Sequence, residues 1–106
     1  MLRDGHDQVK IRIAEIDTPE RRQSWGNRAK QAMAALVHCQ RVEVEPVTID
    51  RYERTIARLR VDGLGVGREL VRQGDAWVYR KYSRDPTLLE LEAEARAAGR
   101  GLWSLP

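Results

Sequence analysis

The sequence predicts an α+β fold, mainly β, in which a small barrel of short strands carries helices. Three observations lead to this prediction. Apolar and polar residues alternate in several short stretches, as they do in strands with one buried face. Turn residues separate these stretches at short intervals. Helical patterns interrupt and then follow the strands, and the last of them has clear start and stop signals.

The composition indicates a single globular domain. The chain has 106 residues, of which 42% are hydrophobic and 33% are charged, as in folded soluble proteins rather than disordered ones. We therefore expect one domain over residues 1–106. Basic residues exceed acidic ones by 19 − 16 = 3, which is weak support for an anionic partner. The single cysteine, Cys39, excludes an intrachain disulfide and a cysteine-rich metal site.

The cellular compartment is left open by the sequence. No stretch is long and apolar enough to cross a membrane, so we expect no membrane partner. The residues shown begin with no signal peptide. If a signal precedes Met1, a secreted or periplasmic location follows, and otherwise the protein is expected in the cytoplasm.

The first strand pattern covers residues 8–16, with Val9, Ile11 and Ile13 on the core side and Arg12 on the other face. Asp4 and Gly5 form a turn signal, so the start of this strand is predicted to be the second arm of a hairpin. A helix is predicted over residues 27–38, because its apolar residues recur at helical spacing.

Two further strands are predicted around a polar loop. The first covers residues 41–47, with its valines pointing inward and Pro46 weakening its end. The second covers residues 55–61. The loop between them, residues 48–54, contains a dense polar cluster. A turn at Asp62 and Gly63 ends the second of these strands.

The last third of the chain contains two helices around an extended segment. The first helix covers residues 66–73, and Gly74 is placed to end it. Residues 76–82 are expected to be extended. Asp85 is a good N-cap for the closing helix, which ends at Gly99.

One face of the closing helix is predicted to be buried and the other solvated. The buried stripe is Leu88, Leu91, Ala95 and Ala98. The residues expected to face water are Glu90, Glu92 and Glu94.

The end of the first strand carries the residues with the clearest chemical potential. Hydrolysis of a phosphodiester needs positive charge at the phosphate, an activated water and a stabilised leaving oxygen. Arg12, together with Arg54 from the polar loop, can clamp a phosphate from two sides. Asp17 and the Thr18 carbonyl offer hard oxygen ligands, which favour Ca²⁺ or Mg²⁺ over zinc. Glu20 follows a proline and can lie close to such an ion.

Each of these residues also fits an ordinary structural role when it is taken alone. Arg12 fits an exposed strand position, and Asp17 before Thr18 and a proline fits the start of a turn. Glu20 fits a solvated acid in a charged loop. Arg54 is one of many arginines in the chain.

The order of the motifs resembles the staphylococcal-nuclease-like, or thermonuclease, family. The first matching motif is RIAEIDTPE at residues 12–20, and the second is DRYER at residues 50–54. The segment ELVRQGDAWVY at residues 69–79 and the terminal GLW at residues 101–103 follow in the same order. The resemblance covers residues 9–104, and the spacing of the first two motifs is its most specific part.

The resemblance implies a five-stranded OB-type barrel with three helices. It also implies Ca²⁺-dependent endonuclease cleavage of the phosphodiester bonds of DNA and RNA, leaving 3′-phosphate ends. Single-stranded DNA or RNA would then be the partner of this domain.

The resemblance further assigns roles residue by residue. Arg12, Glu20 and Arg54 correspond to the catalytic residues of the family, and Asp17 with Thr18 to its metal ligands. The residues that correspond to substrate-binding positions are Asp50, Tyr52 and Tyr82. The tyrosine expected two positions before Tyr82 is replaced by Arg80. Glu53 stands where the family usually has glycine.

The largest departure from the family lies before Met1. Family members have a further strand there, with another aspartate that binds the metal. Asp4 and Asp7 do not have the spacing to replace it. We therefore expect the domain to lack its N-terminal barrel strand and one calcium ligand. An open barrel exposes a strand edge, so we also expect self-association.

Three functions are compatible with the sequence. The first is a metal-dependent nuclease. The second is a non-catalytic nucleic-acid-binding module on the same barrel, because such folds often bind single strands without cleaving them. The third is a structural or protein-binding domain. Glu20 favours the nuclease, because a module that only binds would need the arginines but not this acid.

Overall fold

A computed structural model describes residues 2–4, 7–9, 11–20, 22–79 and 85–105, with side chains from residue 11 onward. The predicted α+β class is confirmed, and the strands within these residues form three small sheets. The strands are β1 (Leu2–Asp4), β2 (Asp7–Val9), β3 (Ile11–Ile13), β4 (Ile16–Asp17), β5 (Val42–Ile49), β6 (Thr55–Val61), β7 (Leu64–Gly65) and β8 (Trp77–Val78). The helices are α1 (Gly26–Val37), α2 (Val66–Gln73) and α3 (Pro86–Ala98), followed by a 3₁₀ helix (Gly101–Ser104).

The predicted N-terminal hairpin is present. Strands β1 and β2 pair in antiparallel fashion, with Leu2 opposite Val9 and Asp4 opposite Asp7. Gly5, the second residue of the predicted turn signal, lies outside the described residues.

The strand predicted over residues 8–16 is wrong as a single element. It is divided between β2, β3 and β4, and a turn at Ala14 and Glu15 separates the last two. Glu15 has a φ of 71°, which is the left-handed region and cannot continue a strand. The break turns β4 away from the main sheet, so that β4 pairs with β8 instead.

Strand β6 is the centre of the main sheet and has the predicted bounds. It pairs with β3 in parallel on one side and with β5 in antiparallel on the other. Ala57 and Leu59 are buried, while Arg58 and Arg60 point to the other face. This alternation is the period of a strand with one face on the core.

Strand β5 departs from its prediction. It extends two residues further than expected, to Ile49. Val42 packs against the core as predicted, but Val44 and Val47 do not point inward, because they are 44% and 50% exposed. The pairing with β6 shifts register between Pro46 and Thr48, because proline has no amide to donate to the ladder. Within the described residues, β5 pairs only with β6, so its other edge is open.

The core lies between the inner face of β6 and the helices α2 and α3. Leu70 and Val71 of α2 are fully buried there, together with Ala95 of α3. Helix α2 has the predicted bounds and ends at Gly74, whose φ of 81° forms the left-handed cap. The buried residues that form this core are Ile16, Ala57, Leu59, Val66, Leu70, Val71, Ala76, Val78 and Leu88.

A contact between two glycines attaches the end of the chain to α2. The Leu102 amide donates to the Gly74 carbonyl at 2.8 Å. A Cβ on Gly74 would lie 2.2 Å from the Arg100 carbonyl oxygen, and a Cβ on Gly101 would lie 2.3 Å from the Gly74 oxygen. Only glycine fits at either position.

Helix α3 begins as predicted, with the Asp85 carboxylate accepting from the Thr87 amide at 2.9 Å. Leu88 and Ala95 are buried as expected, but Ala98 is exposed. The prediction that Glu92 faces water is wrong, because Glu92 is only 1% exposed. The Glu92 carboxylate accepts from the Val78 amide of β8 at 2.7 Å, and this bond explains why the core tolerates it.

Helix α1 lies within one residue of its prediction at each end. Ala29 is buried, and Met33, Leu36 and Val37 pack against the edge of the core. In the described part of the chain, no helix has the length and apolar character that a membrane span requires.

Candidate functional site

The parallel pairing of β3 with β6 brings the two predicted arginines to one end of the sheet. Arg12 is the register partner of Ile56. Arg54 lies two positions before Ile56, immediately before β6 begins. The two side chains therefore come from neighbouring positions on adjacent strands, although 54 − 12 = 42 positions separate them in the sequence.

Arg12 lies between an aromatic ring and an acid. Its guanidinium carbon is 5.3 Å from the centroid of the Tyr79 ring, within the range of a cation–π contact. Its Nη2 is 3.9 Å from Oδ1 of Asp17, and its side chain is 20% exposed. The ion pair is long, so most hydrogen-bonding capacity of the guanidinium can be directed to a ligand.

Asp17 is held by the short sheet of β4 and β8, in which it pairs with Trp77. Its Oδ1 accepts from the amide of Thr18 at 2.9 Å, the local bond that is typical of an aspartate at a turn. The side chain is 41% exposed. The carboxylate is thus fixed by its backbone and still open to solvent.

Strand β8 supports both Asp17 and Arg12. The Tyr79 amide donates to the Glu15 carbonyl at 2.9 Å, which places the tyrosine ring beside Arg12. The Val78 amide is held from behind by Glu92. The supporting roles of Tyr79 and Glu92 were not predicted from the sequence, because these contacts join residues far apart in the chain.

Asp50 organises the polar loop between β5 and β6. Its Oδ1 accepts from the amides of Tyr52 and Arg54, both at 2.9 Å, and its Oδ2 accepts from Nε of Arg54 at 2.8 Å. Partial burial opposes ionisation of this carboxyl, but the hydrogen bonds from Arg54 and Tyr52 outweigh it and lower the pKa of Asp50. Asp50 therefore fixes the loop and the direction of Arg54.

Two features of this loop bear on ligand binding. Tyr52 is 61% exposed, and its hydroxyl accepts from Nη2 of Arg51 at 2.9 Å. The guanidinium carbon of Arg54 is 5.4 Å from the Tyr52 ring. Glu53, at the position where a glycine was expected, has a φ of 62°, so the loop keeps a left-handed residue there despite the side chain.

Glu20 lies on the loop of residues 18–25, between β4 and α1. The residue is exposed, and its backbone amide donates to Oε1 of Gln23 at 2.7 Å. The Gln23 amide donates back to the Glu20 carbonyl at 2.8 Å. Among the described residues, the Glu20 carboxylate forms no ion pair, so it is available to accept a proton.

The remaining predicted positions are a metal site and a tyrosine. The donors that the chain offers for a metal, the Asp17 carboxylate and the Thr18 carbonyl, are hard oxygens of the kind that calcium binds. No group of three acidic, histidine or cysteine side chains suited to a metal is found within the described residues. The donor type fits calcium, while the number of carboxylates is small. Tyr82 lies outside the described residues.

Two arginines come to one end of the sheet of a small α+β domain, and one of them pairs with Asp17; this arrangement is suited to phosphate esters. The chain belongs to the family described as staphylococcal nuclease homologues, whose sequence profile matches residues 10–105. This agrees with the resemblance inferred from the motifs.

Individual relatives support the same assignment. An uncharacterized endonuclease of Haemophilus influenzae is 39% identical over 103 residues, which cover 97% of this chain and 58% of that protein. Protein ParB of Escherichia coli is 41% identical, covering 92% of this chain and 62% of its own length. A micrococcal nuclease of Shigella flexneri is 38% identical, and the match covers 92% of this chain and 63% of that protein. The chain thus spans about three fifths of the length of these relatives.

Proposed function

We propose that the protein is a calcium-dependent endonuclease that hydrolyses phosphodiester bonds of single-stranded DNA and RNA and leaves 3′-phosphate ends. The observation that carries this proposal is the parallel pairing of β3 with β6, which brings Arg12, the ion-pair partner of Asp17, to the same end of the sheet as Arg54. Nuclease names among the relatives support the same reaction class.

Substrate binding rests on the two arginines and the exposed tyrosine. A planar guanidinium can donate two parallel hydrogen bonds to a phosphate, and two such groups would hold the scissile phosphate from two sides. Asp50 keeps Arg54 directed through the Nε bond. Tyr52 offers an exposed ring on which a base can stack, and Tyr82 is proposed as a second contact to the nucleotide.

Glu20 is the proposed general base. Its carboxylate takes a proton from water as the water oxygen attacks the phosphorus. The bond between phosphorus and the 5′-oxygen breaks, and the 5′-oxygen takes up a proton from solvent. The 3′-phosphate remains on one product. Arg12 and Arg54 stabilise the negative charge that accumulates on the phosphoryl oxygens.

Calcium is proposed to bind at Asp17 and the Thr18 carbonyl. When bound, the ion supplies positive charge close to the phosphate. With one carboxylate from this chain, the affinity for calcium is expected to be weak, because calcium sites commonly combine several carboxylate and carbonyl oxygens.

Cleavage of a labelled single-stranded DNA, with calcium or with EDTA, tests the reaction. We expect slow cleavage with calcium and loss of cleavage with EDTA. Full activity in EDTA would contradict the calcium mechanism. Parallel reactions with RNA of the same sequence, followed by analysis of the product ends, test the substrate range and the 3′-phosphate.

Two substitutions separate a nuclease from a module that only binds. Glu20→Gln removes the base and keeps the size of the side chain, so cleavage should fall by about a hundredfold or more while DNA binding persists. Arg54→Ala should weaken both cleavage and binding. Lys30→Ala, on an exposed position of α1, is the control and should leave both unchanged. A Glu20→Gln variant that binds DNA and cleaves it at the same rate as wild type would favour the binding module, because Glu20 would then have no catalytic role.

Self-association through β5 is proposed as well. An eight-residue strand with exposed Val44, Val47 and Ile49 and an open edge offers hydrogen bonds and apolar surface to a second copy. Gel filtration at micromolar concentration should give a dimer or a larger species. Val44→Lys should shift the elution to the monomer, and a wild-type protein that elutes as a clean monomer would contradict the proposal.

A further inference from the structure

A buried carboxylate lies behind the candidate site. Asp75 is 6% exposed and directly follows the glycine that ends α2. Its amide donates to the Leu70 carbonyl at 2.8 Å, which fixes its backbone. Burial raises the pKa of the Asp75 carboxyl, and a hydrogen bond from Trp25 opposes that shift. A buried acid is unfavourable unless it has a specific bonding partner.

That partner is the indole of Trp25, fifty positions earlier in the chain. Its Nε1 donates to Oδ1 of Asp75 at 2.8 Å. The backbone of Trp25 has a φ of 70°, a left-handed conformation that non-glycine residues adopt only when their surroundings hold them. The guanidinium of Arg28 lies over the indole ring, 5.0 Å from its centroid. The tryptophan is therefore fixed from two sides.

Trp25 ends the loop that carries Glu20, and hydrogen bonds connect the two residues. The amide of Gly26, the first residue of α1, donates to the Gln23 carbonyl at 3.0 Å. Gln23 is joined to Glu20 by the two reciprocal bonds described above, one from each backbone amide. Movement of Trp25 would therefore be passed to Glu20 through Gln23.

We infer that Trp25 and Asp75 form a positioning pair that fixes the loop of residues 18–25 and thereby places Glu20 at the scissile phosphate. This inference rests on the proposed role of Glu20 as the general base. The pair touches neither the substrate nor the reacting atoms. It acts through the loop, by joining the loop's second end to the rigid C-terminus of α2.

A positioning role predicts a particular change in kinetics. Substrate binding depends mainly on Arg12 and Arg54. These two residues are held by β3, by β6 and by the loop of residues 50–54. A released loop would leave that binding intact and misplace the base. The expected result is a lower kcat with little change in KM, because proton transfer depends steeply on geometry.

Trp25→Phe is the decisive variant, since it removes the donor and keeps an aromatic ring. We expect kcat to fall by about tenfold to a hundredfold, with KM within about twofold of wild type. Trp103→Phe is the matched control. The Trp103 Nε1 is buried and has no hydrogen-bond partner among the described residues, so its removal should leave kcat unchanged.

Two variants at Asp75 test the same bond from the acceptor side. Asp75→Asn keeps an oxygen at the Oδ1 position and should retain most of kcat. Asp75→Leu removes the acceptor and should lower kcat as Trp25→Phe does. If Trp25→Phe does not fold, the difference in kcat between Asp75→Asn and Asp75→Leu tests the positioning pair instead. Equal kcat in Asp75→Asn and Asp75→Leu would overturn the inference.

Amide hydrogen exchange provides a readout that does not need catalysis. In Trp25→Phe, the amides of Glu20, Gln23 and Gly26 should exchange faster, and in Trp103→Phe they should not. Faster loop exchange in a protein without nuclease activity would support the positioning pair and refute the proposed function. Unchanged loop exchange would overturn the positioning pair whether or not the wild type cleaves DNA. If the wild type is active, a kcat that does not fall in Trp25→Phe would overturn it as well.

Discussion

Glu92 offers the sharpest test of how the site is supported. Its carboxylate is buried against β8, where it accepts from the Val78 amide at 2.7 Å. Glu92→Leu removes that acceptor and replaces it by an apolar side chain of similar length. Because Val78 is 1% exposed, its amide would have no water to replace the lost acceptor.

The size of the effect follows from the unsatisfied amide. A buried donor without a partner costs about 1–3 kcal/mol. Taking about 2 kcal/mol for loss of the acceptor of the Val78 amide gives a fall in Tm of roughly 10 °C for a domain of this length. Glu92→Gln keeps an oxygen acceptor at the same place, so its fall in Tm should be clearly smaller.

Thermal unfolding followed by circular dichroism at pH 7 measures both variants. The Leu variant should also cleave DNA more slowly below its Tm, because β8 holds Asp17 through β4 and places Tyr79 beside Arg12. A Leu variant that melts within about 3 °C of wild type would refute the reasoning. So would a Gln variant that melts as early as the Leu variant.

Three further predictions concern other parts of the fold. Gly74→Ala should destabilise the protein by about 2–4 kcal/mol, and Gly63→Ala by about 1–2 kcal/mol. Both glycines have φ near 80°, but of the two only Gly74 has a backbone oxygen where the added Cβ would lie. Urea unfolding measures both free energies. At a pH above the usual aspartate pKa of 3.8, Asp50→Asn should be less stable than wild type. This difference in stability should vanish as the pH falls through the lowered pKa of Asp50 in the folded state. Urea titrations between pH 6 and pH 2 measure the difference. The pH dependence of the stability that Asp75 contributes has the opposite sign, because the pKa of Asp75 is raised in the folded protein. Wild type should therefore lose stability relative to Asp75→Asn as the pH rises from 3.8 through the raised pKa, and a difference that stays constant with pH would contradict this.

Local signals predicted the helices and the central strand well. Helix α2 ends where Gly74 indicated, and α3 starts at the N-cap that Asp85 provides. Strand β6 has its predicted bounds. Caps, glycines and alternating side chains act within a few residues, so the sequence displays them directly.

The errors came from contacts between distant segments. Val44 is exposed on a strand that, within the described residues, pairs on one side only, and periodicity cannot reveal whether a strand is covered. Glu92 looked solvated because its partner, the Val78 amide, belongs to another element. Glu15 gave no sign that it would adopt a left-handed turn, since the strand pattern continues across it.

The roles of the candidate site residues stay predictions, whereas the contacts that support these residues were not predicted at all. Arg12 and Asp17 were recognisable from their motif, and the structure brings them within 3.9 Å. The contact of Arg12 with Tyr79 and the bond from Trp25 to Asp75 were not predicted. Both join positions that no local spacing relates.

The long separation between Arg12 and Arg54 affects when activity can first appear during synthesis. The phosphate clamp needs β3 to pair with β6, so it cannot form before residue 57 has left the ribosome. Closing so long a loop is also a late event in folding. If the proposed activity on RNA holds, the site would therefore stay inactive beside its own messenger RNA until more than half of the residues shown have emerged.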